Sequence, residues 1–182
     1  MGFKIGFKIG FKIFLRASFI AGALVAQCAF ADDATAQVPE TESGLADDRD
    51  GIQQVIDHAQ DLIGIRYRRR GDKPQTGFDC SGFVGYVFRE GVGLILPRVS
   101  REISKAGTSV SKDELKAGDL VFFNTMRHAF SHVGIYLGDD LFVHSPRTGQ
   151  AIRIDHLNKR YWAKRYSGAR RMYTNGATST QR

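Results

Sequence analysis

Cysteine is almost absent from this chain of 182 residues, which holds only Cys28 and Cys80. A disulfide scaffold is thereby excluded. The apolar run from Ala17 to Ala26 falls well short of the roughly 20 residues that a bilayer span requires. Acidic residues are missing from the first 31 positions, where Lys4, Lys8, Lys12 and Arg16 precede the apolar run and Ala29-Phe30-Ala31 follows it. That order is the order of a secretory signal peptide, residues 1–31, with cleavage expected after Ala31. The Gly-Phe-Lys-Ile repeat between Gly2 and Ile13 is too short for a solenoid unit and reads as a lengthened basic region.

Loss of such a signal changes the two most conspicuous statistics. Four cations and no acids leave with it, so the net charge falls from +7 to +3 and a nucleic-acid partner is not expected. Cys28 leaves as well, and Cys80 becomes the lone thiol of an exported protein in the periplasm or outside the cell. An unpaired thiol in an oxidising compartment points to chemistry more than to packing. The alternative, a lipoprotein signal anchoring the chain through Cys28, fits less well because Gln27 before it is not small. No stable membrane span is expected once the signal is removed.

Residues 32–49 are acidic and polar, the composition of a disordered linker, and order is expected from about Asp50. Ile52, Val55, Ile56, Ala59, Leu62 and Ile63 recur at helical spacing, and Gly64 supplies a stop. A loop from Arg66 to Gly77 leads to Asp79, an N-cap residue, and to a second helical pattern: Cys80, Phe83, Val84, Val87 and Phe88. Pro97 interrupts it, and a short third helix is expected from Val99 or Ser100. Five strand-like runs follow, Leu120–Phe123, Val133–Leu137, Leu141–Val143, Ala151–Ile154 and Gly168–Tyr173, separated by Gly, Asp or Asn turns. Helices first and strands second predict an α+β fold with an antiparallel sheet over residues 50–173, followed by a flexible tail, 174–182.

A cysteine at a helix N-terminus meets unpaired N–H groups and the positive end of the helix dipole, which favour thiolate and suit an oxyanion. Of the five histidines, His132 and His144 flank the turn signal Gly138-Asp139-Asp140. If residues 137 and 141 pair across it, position 134 opposes 144, and His132 lies diagonal to His144 on one face. A slip of one residue would send His144 to the other face. In the first register His132 can take the thiol proton while His144 orients it. His58, His128 and His156 read as half-buried polar residues. A zinc site of Cys80, His128 and His132 is the competing arrangement, but His128-Ala-Phe-Ser-His132 lacks the glutamate of the helical H-E-x-x-H motif, so no metal and no other cofactor is expected.

Asp79-Cys80-Ser81-Gly82-Phe83-Val84, Ser131-His132-Val133-Gly134-Ile135-Tyr136 and Phe142-Val143-His144 together resemble the NlpC-type family of cell-wall cysteine endopeptidases. The order Cys, His, His and the spacing agree, and the resemblance extends to Leu96-Pro97-Arg98, Ala117-Gly118-Asp119-Leu120-Val121 and Tyr161-Trp162-Ala163-Lys164-Arg165-Tyr166. It implies a minimal papain-like fold, N-terminal helices packed on an antiparallel sheet of about five or six strands. It also implies a nucleophile at Cys80, a base at His132 and an orienting residue at His144. Tyr67, Asp79 and Ser81 match positions associated with the oxyanion or substrate, although Asp79 and Ser81 have a helix-capping role available as well. Where the family carries a Gly-Gly pair after this tyrosine, Arg70-Gly71 stands instead, so Arg70 must adopt an unusual backbone conformation or the loop is reshaped.

The implied substrate is the stem peptide of peptidoglycan, cut through a thioester acyl-enzyme by a monomer. D-alanyl to meso-diaminopimelyl cross-links are favoured over D-glutamyl to diaminopimelyl bonds within one stem. Arg66, Arg68, Arg69 and Arg70 are candidates to meet its carboxylates, with a solvated basic loop as the alternative. A non-cleaving wall-peptide binding protein and an acyl transferase are the competing classes.

Overall fold

The computed structural model describes residues 42–172, and side chains from Asp50 onward. The expected signal, the first part of the linker and the C-terminal tail lie outside the described residues. Helix α1 spans Glu42–Asp61. It thus starts eight residues ahead of the Asp50 boundary expected from composition, which corrects the linker reading for residues 42–49. Acidic residues that resemble a spacer in composition are also those a helix dipole favours in its first turns.

A two-stranded ribbon, β1 (Asp72–Lys73) and β2 (Gly77–Phe78), precedes α2, Cys80–Val92. Asp79 caps α2, its carboxylate accepting the Gly82 N–H at 2.7 Å, and Gly93 ends it in the left-handed region at φ 67°. Phe83, Val84, Val87 and Phe88 bury the helix against Val55 and Ala59 of α1 and against the sheet. The short helix α3, Ser100–Ile103, begins where Pro97 led one to expect it.

The sheet has six strands in the order β3-β8-β4-β5-β6-β7, all antiparallel: β3 (Thr108–Val110), β4 (Leu120–Phe123), β5 (His132–Gly138), β6 (Leu141–His144), β7 (Arg153–His156) and β8 (Tyr166–Arg171). This is the expected α+β arrangement. The β1/β2 ribbon, β3 and the one-turn helix α4 (Arg160–Ala163) carry too little periodic pattern to be read in advance. Two strands are displaced from their expected spans. β7 starts at Arg153 because Ala151 and Ile152 pair instead with the loop at Arg66 and Ile65, and β8 runs two residues earlier than expected.

All four residues of β4 are buried because each face of the sheet is covered. Leu120 and Phe122 join Val133, Ile135 and Val143 beneath the helices, while Val121 and Phe123 join Tyr136, Phe142 and Trp162 on the opposite face. His132 and His144 alternate with Val133 and Val143 and therefore project to that second face.

Candidate active site

The β5–β6 hairpin turns through Asp139 and Asp140, both at positive φ (50° and 59°), a two-residue turn whose twist matches the strands. Gly138 pairs with Leu141, Leu137 is bulged, and beyond the bulge Tyr136 faces Phe142 and Ile135 faces Val143. Past the bulge this is the register expected from the turn, and it carries through to position 134 opposite 144. Gly134 makes the diagonal contact possible, since a Cβ there would stand 2.8 Å from the Phe142 ring, 2.9 Å from the Val143 carbonyl oxygen and 3.1 Å from the His144 Cβ. Across this gap Nε2 of His132 lies 2.8 Å from Nδ1 of His144. Trp162 stacks on the His132 ring at 5.6 Å between centroids and 21° between planes, and meets His144 edge-on. Both histidines are buried, and burial holds both imidazoles below their ordinary value, His132 the further.

The other nitrogen of His144, Nε2, lies 3.1 Å from Oδ2 of Asp155. Arg153 Nε at 3.0 Å and Lys159 Nζ at 2.9 Å bind the same carboxylate. The His144 hydrogen bond, aided by those of Lys159 and Arg153, keeps the Asp155 carboxyl far below the usual carboxylate range. Asp155 was not recognisable from sequence. In β7 the apolar Ile154 is 38% exposed and Asp155 only 7%, the reverse of an amphipathic strand. The available signal was the register: β7 pairs Asp155 with Phe142 and Arg153 with His144, which puts Asp155 diagonal to His144.

Cys80 opens α2 and lines the same cleft as His132, Tyr67 and Trp162, a space of about 580 Å³. The backbone N–H groups of Val133, the residue after His132, and of Ser81 and Cys80 itself act on the thiol in the direction that favours thiolate. The expected thiolate is corrected here: burial, with the nearby Asp79 carboxylate, pushes the thiol up to about 11, and the N–H contacts offset only part of this. Burial thus works against the thiolate and against the imidazolium alike. Tyr67 also lines the cleft, with its backbone N–H bonded to the Gln150 carbonyl at 2.8 Å. Burial and then proximity to Cys80 and Asp79 raise the phenol above its ordinary value.

Asp79 and Ser81 are placed differently. Both Asp79 oxygens receive the Arg98 guanidinium fork at 2.9 Å, Oδ2 also accepts the Arg70 N–H at 3.0 Å, and Ser81 Oγ accepts from Arg98 at 3.0 Å. Neither residue is among those lining the cleft; they lock the start of α2 to the loops on either side. Arg70 does adopt the unusual conformation, at φ 62°. It is exposed, as are Arg66, Arg68 and Arg69, and the cations that line the cleft are instead Arg147, Arg153 and Lys159. His128 is exposed beside the Ala129 carbonyl, apart from the buried His132. Ser131, unremarked as a single residue, accepts the N–H groups of Thr125 and Met126 at 2.8 and 3.1 Å and so folds the loop at the cleft edge.

Comparison with known proteins gives the same assignment from several directions. Residues 64–171 match the NlpC/P60 family. Murein DD-endopeptidase MepH of Escherichia coli (strain K12) is 46% identical over 115 residues, 62% of this chain and 42% of the relative. Murein DD-endopeptidase MepS/Murein LD-carboxypeptidase of the same strain is 44% identical over 119 residues, 65% of this chain and 62% of the relative. The matched span thus covers less than two thirds of either relative. A solved structure of an NlpC/P60 family protein from Bacillus cereus ATCC 10987 superimposes with a TM-score of 0.63 and 34% identity, over 66% of this chain and 40% of that one. Sequence, fold and site agree that the chain belongs to the NlpC/P60 family.

Proposed function

We propose that this protein is an exported cysteine endopeptidase that hydrolyses peptide bonds of peptidoglycan. The single observation that carries the reading is the convergence of Cys80 and His132 on one cleft, with a 2.8 Å contact joining His132 to the buried His144. Cys80 acts as nucleophile, His132 as the base that accepts its proton, and His144 as the group that orients His132. The N–H groups around the sulfur stabilise the tetrahedral oxyanion, assisted by the Tyr67 hydroxyl. Attack by sulfur on the scissile carbonyl carbon forms the thioester as the C–N bond breaks and the proton passes from His132 to the leaving amine. Water then resolves the thioester by the reverse use of the same base.

Arg147, Arg153 and Lys159 give the cleft a positive side, with only Asp155 among its lining residues to offset them, which suits a carboxylate-bearing peptide. The names of the murein DD-endopeptidase relatives favour the D-alanyl to meso-diaminopimelyl cross-link as the bond cut. A second reading, cleavage after D-glutamate within one stem, is favoured by the 34% identity over 160 residues to gamma-DL-glutamyl hydrolase of Bacillus subtilis (strain 168), a match that covers 35% of that relative. Digestion of purified sacculi, with Cys80→Ala as the control, separates the two by fragment mass. Cross-linked dimers converted to monomers support the first reading, shortened stems the second. No release by the wild type, or equal release by Cys80→Ala, refutes the enzyme.

A further inference from the structure

Base catalysis by His132 requires a lone pair on the nitrogen that meets the thiol. Nε2 of His132 is taken by His144, so that nitrogen is Nδ1. Which nitrogen carries the hydrogen is decided by the partner of its neighbour. Asp155 settles the matter at the far end of the chain of contacts. Bound by Arg153 and Lys159 as well as by His144, its carboxylate is ionised and can only accept. Nε2 of His144 must therefore carry the hydrogen. A buried neutral His144 then has its lone pair at Nδ1, and the only hydrogen that can fill the 2.8 Å gap is on Nε2 of His132.

We infer that Asp155 is a positioning residue: through His144 it fixes the tautomer of His132, so that the Nδ1 lone pair is turned to Cys80. This rests on the cysteine-peptidase reading above and adds a fourth member to it. In the acylation step the thiol proton moves to Nδ1 of His132, leaving thiolate and an imidazolium with hydrogens on both nitrogens. No proton travels further, and the Nε2–H bond to His144 strengthens because its donor is now charged. With the opposite polarity Nδ1 of His132 would hold a hydrogen and could not accept one. The ionisable groups around the pair are Asp155, Arg153 and Lys159 on the His144 side, with Cys80, Tyr67, Arg147 and Tyr161 also lining the cleft.

Asp155→Asn is the direct test, because the amide keeps the shape yet can offer an N–H to His144 and permit the reversed tautomers. The expected result is a fall in kcat of roughly 10²- to 10⁴-fold, the upper value being the effect of the same change behind the histidine of a Ser-His-Asp triad. KM should stay within about threefold, and Asp155→Glu should recover part of kcat. In ¹⁵N-histidine spectra the wild type should show hydrogens on Nε2 of both rings, and Asp155→Asn should show signal shifted toward protonated Nδ1. A wild-type spectrum with Nδ1 of His132 protonated, or an Asp155→Asn variant with kcat within threefold of wild type, overturns the inference. The spectra need no substrate, so they decide the tautomers even if digestion of sacculi rejects the enzyme, and the wild-type spectrum does so even if the variant fails to fold.

Discussion

Gly134→Ala places one methyl group at the point where the site has least room. The new Cβ would lie 2.8 Å from an edge carbon of Phe142, 2.9 Å from the Val143 carbonyl oxygen and 3.1 Å from the His144 Cβ. Two of these are too close for any real Cβ contact, and one belongs to backbone, so rotamer adjustment alone cannot clear them. β6 must move away from β5. Overpacking of this kind costs about 1–3 kcal/mol. At roughly 4 °C per kcal/mol for a domain of this size, Tm falls by about 4–12 °C. The same movement stretches the His132–His144 contact from 2.8 Å past the ordinary hydrogen-bond limit of about 3.2 Å, and kcat should fall at least about tenfold even well below Tm. Gly85→Ala is the matched control: it lies inside α2, and a Cβ there meets nothing within 4 Å, so relief of backbone entropy should stabilise the fold by about 0.5–1 kcal/mol. Thermal unfolding and steady-state hydrolysis of a muropeptide measure both effects. A Gly134→Ala protein with wild-type Tm and kcat refutes the reasoning about this gap.

Three further outcomes are expected. Because burial lowers both imidazoles, the unfolded chain binds more protons than the folded one below about pH 6.5, so stability is present above that pH and is lost as pH falls. Each histidine can withdraw up to about 1.4 kcal/mol by one unit below its unfolded value, and urea midpoints at pH 7.5 and 5.5 that coincide would contradict this. Alkylation of Cys80 by iodoacetamide should accelerate with pH through the alkaline range, since the thiol is pushed up to about 11; a rate already on its plateau below pH 7 would show a resting ion pair instead. Arg70→Gly relieves a left-handed residue whose N–H still reaches Asp79, and should raise stability by about 1 kcal/mol; a loss in thermal unfolding would mean that the arginine side chain holds the loop.

Much of the site could be read from local pattern. The cap at Asp79 and the apolar stripe behind Cys80 specify where α2 starts, because both act within one or two helical turns. Two aspartates after a glycine set a two-residue turn, and the period of two then carries His132 and His144 to one face. The resemblance carried by the Cys, His, His motifs led to the same three residues and to the family that the comparisons identify.

Other features belong to the folded state alone. Asp155 joins the site through cross-strand register with β6, in an edge strand where the buried and exposed positions are inverted, so alternation points to Ile154. Asp79 matched an oxyanion or substrate position as well as a helix cap; the cap is present, and Arg98, nineteen residues on, takes both carboxylate oxygens. The thiol shows the same limit. Position at a helix N-terminus argues for thiolate, but desolvation depends on everything packed around the sulfur, and in this protein it outweighs the local N–H groups. Sequence alone thus determined the helix start, and it named Cys80, His132 and His144 as candidates together with a register conditional on the turn, since caps, turns and strand alternation act over only a few residues. Tertiary structure decided protonation, the carboxylate behind the pair and the true partners of Asp79, because charge and burial sum over neighbours that the chain brings together from far away.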